Sequence, residues 1–223
     1  EGPALDWETL PARVEAVIAE RVGRLDAASQ EALRVASVEG ETFTAEVVAR
    51  VRSADEGDMV ERLSGQLDRV HRLVRAQEIQ RLGARRLSRY RFRHNLFQNY
   101  LYQSLDPVEQ AHLHEAVGTT LEALYGEETD QIAVALARHF QEAGIGEQAI
   151  DYLLQAGEQA KRSSANEAAI AHLAQSLELL KTTPETPERD QRELDVQLAL
   201  GVPLVFIKGH AAPEVEATYA RAR

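Results

Sequence analysis

One segment of this chain breaks an otherwise helical rhythm. In RAQEIQRLGARRLSRYRFRH the apolar residues of the second half, Leu87, Tyr90 and Phe92, are interleaved with arginines, and LGAR interrupts the run around Gly83. Such alternation on either side of a glycine-bearing turn predicts a β-hairpin from about Val74 to Arg93. Whatever the chain folds into must seat one two-stranded ribbon among helices.

The segments before the ribbon are helical by spacing. ARVEAVIAERVGRL places Val14, Val17, Ile18, Val22 and Leu25 at helical intervals. Ser29 lies inside a second helix whose face carries Leu33, Ala36 and Val38, ended by Gly40. ETF suits a very short strand, and Thr44 can cap a short helix over AEVVARV. A longer helix follows, with Met59, Leu63, Leu67, Val70 and Val74 on one stripe. Helices leading into a two-stranded hairpin give the order of a winged-helix domain, expected over residues 11–105, after a linker over 1–10 punctuated by Pro3 and Pro11.

After His94 every segment reads as helix, apart from a polar spacer, TTPETPERD. Tetratricopeptide units need small residues where two helices cross. With Gly157 at the glycine position of such a unit, Leu153, Ala156 and Ala160 fall on the contact positions of the first helix. Ala169, Leu173 and Ser176 then fall on those of the second. A further unit fits with Leu200, Gly201 and Leu204, then Tyr219 and Ala222 after a two-residue insertion. The expected fold class is mainly α, a winged-helix domain followed over residues 106–223 by an α-solenoid of tetratricopeptide-like pairs. The start in a linker and the end at Arg223 within a helical pattern suggest a piece of a longer protein.

Composition removes several classes of function. There is no cysteine, so disulfides and thiolate chemistry are excluded, which fits a cytoplasmic protein. No apolar run approaches the roughly 20 residues a membrane helix needs, and EGPALDWETL has none of the regions of a signal peptide. The formal charge of −11 disfavours non-specific nucleic-acid binding by the chain as a whole. Nine arginines and one acid, Glu78, nevertheless lie between Arg69 and Arg93, a local +8. That window suits either an anionic partner or internal ion pairs.

No phosphate-cradling glycine loop is present, neither GxxxxGK[ST] nor GxGxxG after a strand. His112 and His114 point to different faces of a helix and cannot share a metal without a ligand from elsewhere. His139 and His172 read as solenoid surface or packing residues, and the paired acids Glu127, Glu128, Glu185 and Glu188 as solvated. No serine or threonine carries a nucleophile signature. The chain is therefore expected to hold no active site, no metal and no cofactor of its own. In a DNA-bound winged helix the third helix enters the major groove by its N-terminal residues. Here Asp55, Glu56, Asp58 and Glu61 occupy that end and would face phosphates. Contact led by the wing stays open.

His94 sits where the basic strand turns into the next helix. On the residues alone it suits a strand-end histidine hydrogen-bonded to backbone, or a nucleotide contact.

LPARVEAVIAERVGRLDAASQEALRVASVEGETFTAEVVARV, followed by YRFRHNLFQNYLYQSL and HLHEAVGTTLEALYG, resembles the winged-helix region of bacterial STAND ATPases, signal-transduction ATPases with numerous domains. RSSANEAAIAHLAQSLELL is similar to their solenoid text. The likeness spans nearly the whole chain and is strongest over Leu10–Leu124. It points to the large proteins that join a class III adenylate or guanylate cyclase, or a transcription-regulator module, to an AAA-like ATPase and tetratricopeptide repeats. The resemblance implies a non-catalytic regulatory region whose partners are the parent's nucleotide-binding domain and a protein or peptide effector, with ADP or ATP and magnesium held by that other domain. It also implies that His94, the counterpart of the histidine in the Met-His-Asp motif of plant resistance ATPases, touches the ADP phosphate in the resting state, with Arg93 beside it. Here Arg93 and Asn95 stand where that motif has Met and Asp.

Overall fold

The computed structural model describes residues 12–221, so the linker expected over residues 1–10 and the match at Ala222 lie outside the described residues. The chain is mainly helical, with one small antiparallel sheet. It divides into two compact units, one running to Thr120 and the other starting at Leu121. No helix among the described residues is long and apolar enough to cross a membrane.

The first unit is built around α2 (Ala27–Glu39). Asp26 starts this helix by accepting the Ser29 amide at 2.7 Å, and Gly40, at φ 138°, ends it by donating its amide to the Ala36 carbonyl. Ala32, Leu33, Val35, Ala36 and Val38 are all buried. Five nearly consecutive buried positions exceed the stripe of an ordinary surface helix, so α2 is packed on more than one side. α1 (Ala12–Gly23) contributes Ile18 and Val22 to this core. α5 (Asn95–Gln103) contributes Phe97 and Leu101, and Gln98 ties it to α2 by donating to the Ser37 carbonyl at 2.7 Å.

The sheet has the order β1-β3-β2, with β1 (Thr42–Thr44), β2 (Val74–Leu82) and β3 (Arg85–Phe92) all antiparallel to their neighbours. The hairpin occupies the segment whose period changed. Leu82 faces Arg85 across the turn, and Gly83 takes φ 55°, a region open to glycine at no steric cost. Val74, Tyr90 and Phe92 are buried with Phe43 of β1, whose ring lies 5.2 Å from Phe92 and 6.1 Å from Tyr90.

Two local expectations are corrected. Thr44 precedes α3 (Ala45–Val51) but its side chain does not cap it. The Glu39 carboxylate takes both the Thr44 hydroxyl, at 2.7 Å, and the Thr44 amide, at 2.9 Å. The long stripe from Met59 to Val74 also ends early. α4 (Glu56–Arg62) passes into a π-helical segment, Leu63–Val70, closed by the His71 amide on the Gln66 carbonyl at 2.9 Å. The wider i→i+5 turn keeps Leu63 and Leu67 buried but carries Val70 out, 72% exposed. Val74 belongs to β2 instead.

α6 (Pro107–Tyr125) begins with a reciprocal cap. Asp106 accepts the Val108 and Glu109 amides while the Glu109 carboxylate accepts the Asp106 amide at 3.0 Å.

In the second unit a 3₁₀ segment, Gly126–Ile132, leads into α7 (Ala133–Glu142), so the helix expected from TDQIAVALARHFQEAG is α-helical only from Ala133. Then come α8 (Gly146–Arg162), α9 (Asn166–Leu180), α10 (Pro187–Lys208) and α11 (Pro213–Arg221). α10 starts inside the proline-bearing spacer, because Thr186 accepts the Arg189 amide at 3.2 Å and Pro187 fits the first turn. Short connections make successive helices neighbours. Gly157 of α8 lies so close to α9 that a Cβ there would sit 2.6 Å from Leu173 Cγ. Gly201 of α10 stands in the same relation to Tyr219 of α11, 2.6 Å from its hydroxyl.

Candidate functional site around His94

The end of β3 is fixed by backbone before any side chain is considered. The Phe92 amide donates to the Glu41 carbonyl and the Arg93 amide to the Leu73 carbonyl, each at 2.9 Å. Arg93 then holds its own strand end. Its Nε donates to the Val74 carbonyl at 2.9 Å and its Nη2 meets Asp68 Oδ1 at 2.5 Å. Asp68 comes from the π-helical segment, so that irregular turn places the counter-charge of Arg93.

His94 is the N-cap residue of α5, with extended φ −140° and ψ 132°, and its side chain makes no cap hydrogen bond. The residue is exposed. Its imidazole has the Phe97 ring 6.4 Å away, and the Arg21 guanidinium lies 5.0 Å over the other end of the arrangement, on the Phe97 ring. Arg21 is steadied by donating to the His71 carbonyl at 2.7 Å. The first turn of α5 contains no acid. The amides of a helix start carry partial positive charge, so the exposed imidazole stands at a partly positive helix end, with the Arg21 guanidinium over the neighbouring Phe97 ring and Arg93 already paired with Asp68. Such a surface can donate hydrogen bonds to an anion. Arg21 and Phe97 were missed from sequence: the period of α5 marks Phe97 only as a core residue, and nothing local links Arg21 to it.

The arginine run resolves into two parts. Arg89 pairs with Glu39 at 3.6 Å, Arg91 with Glu41 at 2.5 Å and Arg93 with Asp68. Internal ion pairs therefore account for three of the nine arginines, those at the end of β3. Arg72, Arg75, Arg81 and Arg86 are exposed, and Arg81 stands directly opposite Arg86 in the ladder. Like charges at directly opposed positions disfavour the pair.

The start of α4 stays acidic in three dimensions. Asp55 is spent on the Asp58 amide, Glu56 on Arg50 at 2.8 Å, and Glu61 is exposed. A shallow concavity of about 320 Å³ beside it is lined by Asp58, Glu61, Arg62, Gly65 and Gln66. Its one cation, Arg62, is already bound to Asp26 at 2.9 Å. This lining repels phosphate.

The other candidate histidines do not gather. His112 is exposed, while His114 is buried with its Nε2 3.0 Å from the Tyr102 hydroxyl. His139 is fully buried, with Nε2 3.3 Å from Arg138, and so serves packing. Among the described residues no group of three His, Asp or Glu side chains could hold a metal ion. Tyr152 donates to Glu122 at 2.5 Å. Burial first, and the Glu122 hydrogen bond and charge next, push its phenol well above the ordinary tyrosine range, so it stays a neutral donor and not a base.

No protein-family model matches the chain, and neither a curated protein nor a solved structure matches it.

Proposed function

We propose that this chain is a non-catalytic regulatory region of a STAND-type signalling ATPase. In this reading the first unit is a winged-helix domain, with β2 and β3 as the wing, and the second is the start of a tetratricopeptide-like solenoid that binds an effector protein or peptide. A nucleotide-binding domain elsewhere in the parent holds ADP, and His94 closes the resting state by donating a hydrogen bond to its phosphate. A hydrogen bond to an ionised acceptor is stronger than a neutral one, and its loss on nucleotide exchange would shift the population to an open state.

The observation that supports this best is the contrast between neighbours. Arg93 is engaged by Asp68 and the Val74 carbonyl, whereas the His94 side chain is exposed and caps nothing at the start of its helix. A histidine that served only the strand end would spend its ring nitrogens on nearby backbone. Arg93 acts in this account as the positioning residue that fixes the strand end. The resemblance of YRFRHNLFQNYLYQSL to the family's histidine-bearing segment supplies the nucleotide. The chain lacks a phosphate cradle, so calorimetry of the isolated chain with ADP should give no binding. Micromolar affinity would contradict the division of labour.

The second reading is a winged-helix DNA-binding regulator with a ligand-sensing repeat domain. The exposed Arg75, Arg81 and Arg86 on the wing favour it, and the acids opening α4 oppose it. A salt-sensitive mobility shift of duplex DNA by the chain would revive it.

A further inference from the structure

β2 is an edge strand of the sheet, and β3 shows which of its backbone groups face outward. The Arg93 amide reaches the Leu73 carbonyl on the β2 side. The Phe92 amide reaches Glu41 and the Ser88 amide reaches Glu46, both away from β2. Amides alternate in direction along a strand, so Arg86 also turns its amide away from β2. Arg86 opposite Arg81, and Ser88 opposite Ile79, are therefore pairs without mutual hydrogen bonds. The N–H and C=O groups of Ile79 and Arg81 then point out of the sheet edge. The start of the same edge is met from within the chain, where the Ala76 amide donates to Asp68 at 3.4 Å. A bulge between Ala76 and Ile79 separates that part from the hairpin tip.

The side chains beside this edge form a small amphipathic patch. Side chains of a pair without mutual hydrogen bonds stand closest together, so Arg81 and Arg86 repel one another at short range. Both are exposed, and neither meets a carboxylate among the described residues. Ile79, two residues before Arg81 and so on the same face, is 65% exposed.

We propose that the edge of β2 from Ile79 to Arg81 takes an extended acidic peptide as a fourth strand. A carboxylate side chain of the peptide neutralises Arg81 and relieves its repulsion from Arg86, and an apolar side chain two positions away covers Ile79. Charge selects this occupant. The chain carries −11 and the window Arg69–Arg93 +8, which leaves −19 on the remainder. Those surroundings repel a long polyanion such as duplex DNA more than a short acidic segment. Arginine on an edge strand opposes pairing with a second copy of the same edge, and Ile79 offers nothing to a phosphate backbone. The inference is independent of the role of His94.

The probe is a fluorescein-labelled synthetic peptide in which threonine alternates first with valine and then with glutamate. Titrated into the full chain and followed by anisotropy, it should bind saturably. Arg81→Glu combined with Arg86→Glu should weaken binding by about tenfold or more. A peptide with lysine in place of glutamate should bind that variant and not the unsubstituted chain. Methylating alternate backbone nitrogens of the peptide should abolish binding, because an added strand is held by main-chain hydrogen bonds. Both arginines are exposed, so far-UV circular dichroism should be unchanged. No saturable binding up to about 1 mM peptide, or binding indifferent to the double substitution, overturns the inference. Binding that survives backbone methylation overturns it too, since it would be ion pairing without a strand. So does duplex DNA of equal charge that displaces the peptide more effectively than unlabelled peptide does, which would name nucleic acid as the occupant.

Discussion

Asp68 and Arg93 are joined at 2.5 Å, a π-helical turn on one side and the last residue of the basic strand region on the other. The pair is half in solvent, with the arginine side chain 37% and the aspartate 21% exposed, so screening limits its worth to about 0.5–1 kcal/mol. Asp68→Asn should lower the urea stability of the chain by that amount. Arg93→Ala should cost more, because it also leaves the Val74 carbonyl without its 2.9 Å donor. Equal costs for the two would mean that the Val74 bond contributes nothing.

The two close-approach glycines should respond differently to a methyl group. Gly157 meets Leu173, which is fully buried and cannot retreat, so Gly157→Ala should destabilise by about 1–3 kcal/mol despite the better helix propensity of alanine. Gly201 meets the hydroxyl end of Tyr219, a side chain 40% exposed and free to swing outward. Gly201→Ala should therefore be within about 1 kcal/mol of neutral, since the propensity gain offsets the displacement. Thermal melts of both variants decide this, and a reversed order would contradict the packing described.

Ser176 is the one buried hydroxyl among the described residues that has no hydrogen-bond partner. It lies at 0% exposure on α9, at the place where the helical-pair pattern calls for a small side chain. Removing the orphan group leaves the methylene packing intact, so Ser176→Ala should stabilise by about 1 kcal/mol. Lower stability in chemical denaturation would show that the hydroxyl is partnered in solution.

Asp26 links helix capping to pH. The Ser29 amide that it accepts, with the Ser29 hydroxyl and Arg62 after it, holds its carboxyl below the ordinary aspartate value. A depressed carboxylate contributes stability that is complete above its unfolded value, near 3.8, and is lost as pH falls through the lower folded value. Asp26→Asn keeps a cap and removes the charge. Urea midpoints at pH 7 and pH 3 should therefore converge between the two proteins as the pH falls. A gap at pH 3 as wide as at pH 7 would contradict the assignment.

The hairpin was legible because its signals are local: Gly83 at the turn and apolar residues alternating with arginines. What escaped the sequence was decided by partners outside the local pattern. The stripe Met59, Leu63, Leu67 suits an α-helix, and nothing in it announces the π turn that carries Asp68 to Arg93. Thr44 has the chemistry of a cap, but Glu39 takes its hydroxyl. The arginine run reads as one positive patch until Glu39, Glu41 and Asp68 neutralise its last three arginines and leave the hairpin tip charged. His94 was placed correctly at the strand-to-helix junction. That its ring spends nothing on the helix it caps is a matter of geometry, as is the company of Arg21 and Phe97.

The central claim is that His94 carries a phosphate contact for a nucleotide held by another domain. Its most direct test is the release rate of a fluorescent ADP analogue from the parent protein with and without His94→Ala. Loss of a charge-assisted hydrogen bond of about 1.5–3 kcal/mol predicts release faster by about ten- to a hundredfold, with the fold of the first unit unchanged by circular dichroism. Release at the unaltered rate from a correctly folded variant would contradict the account.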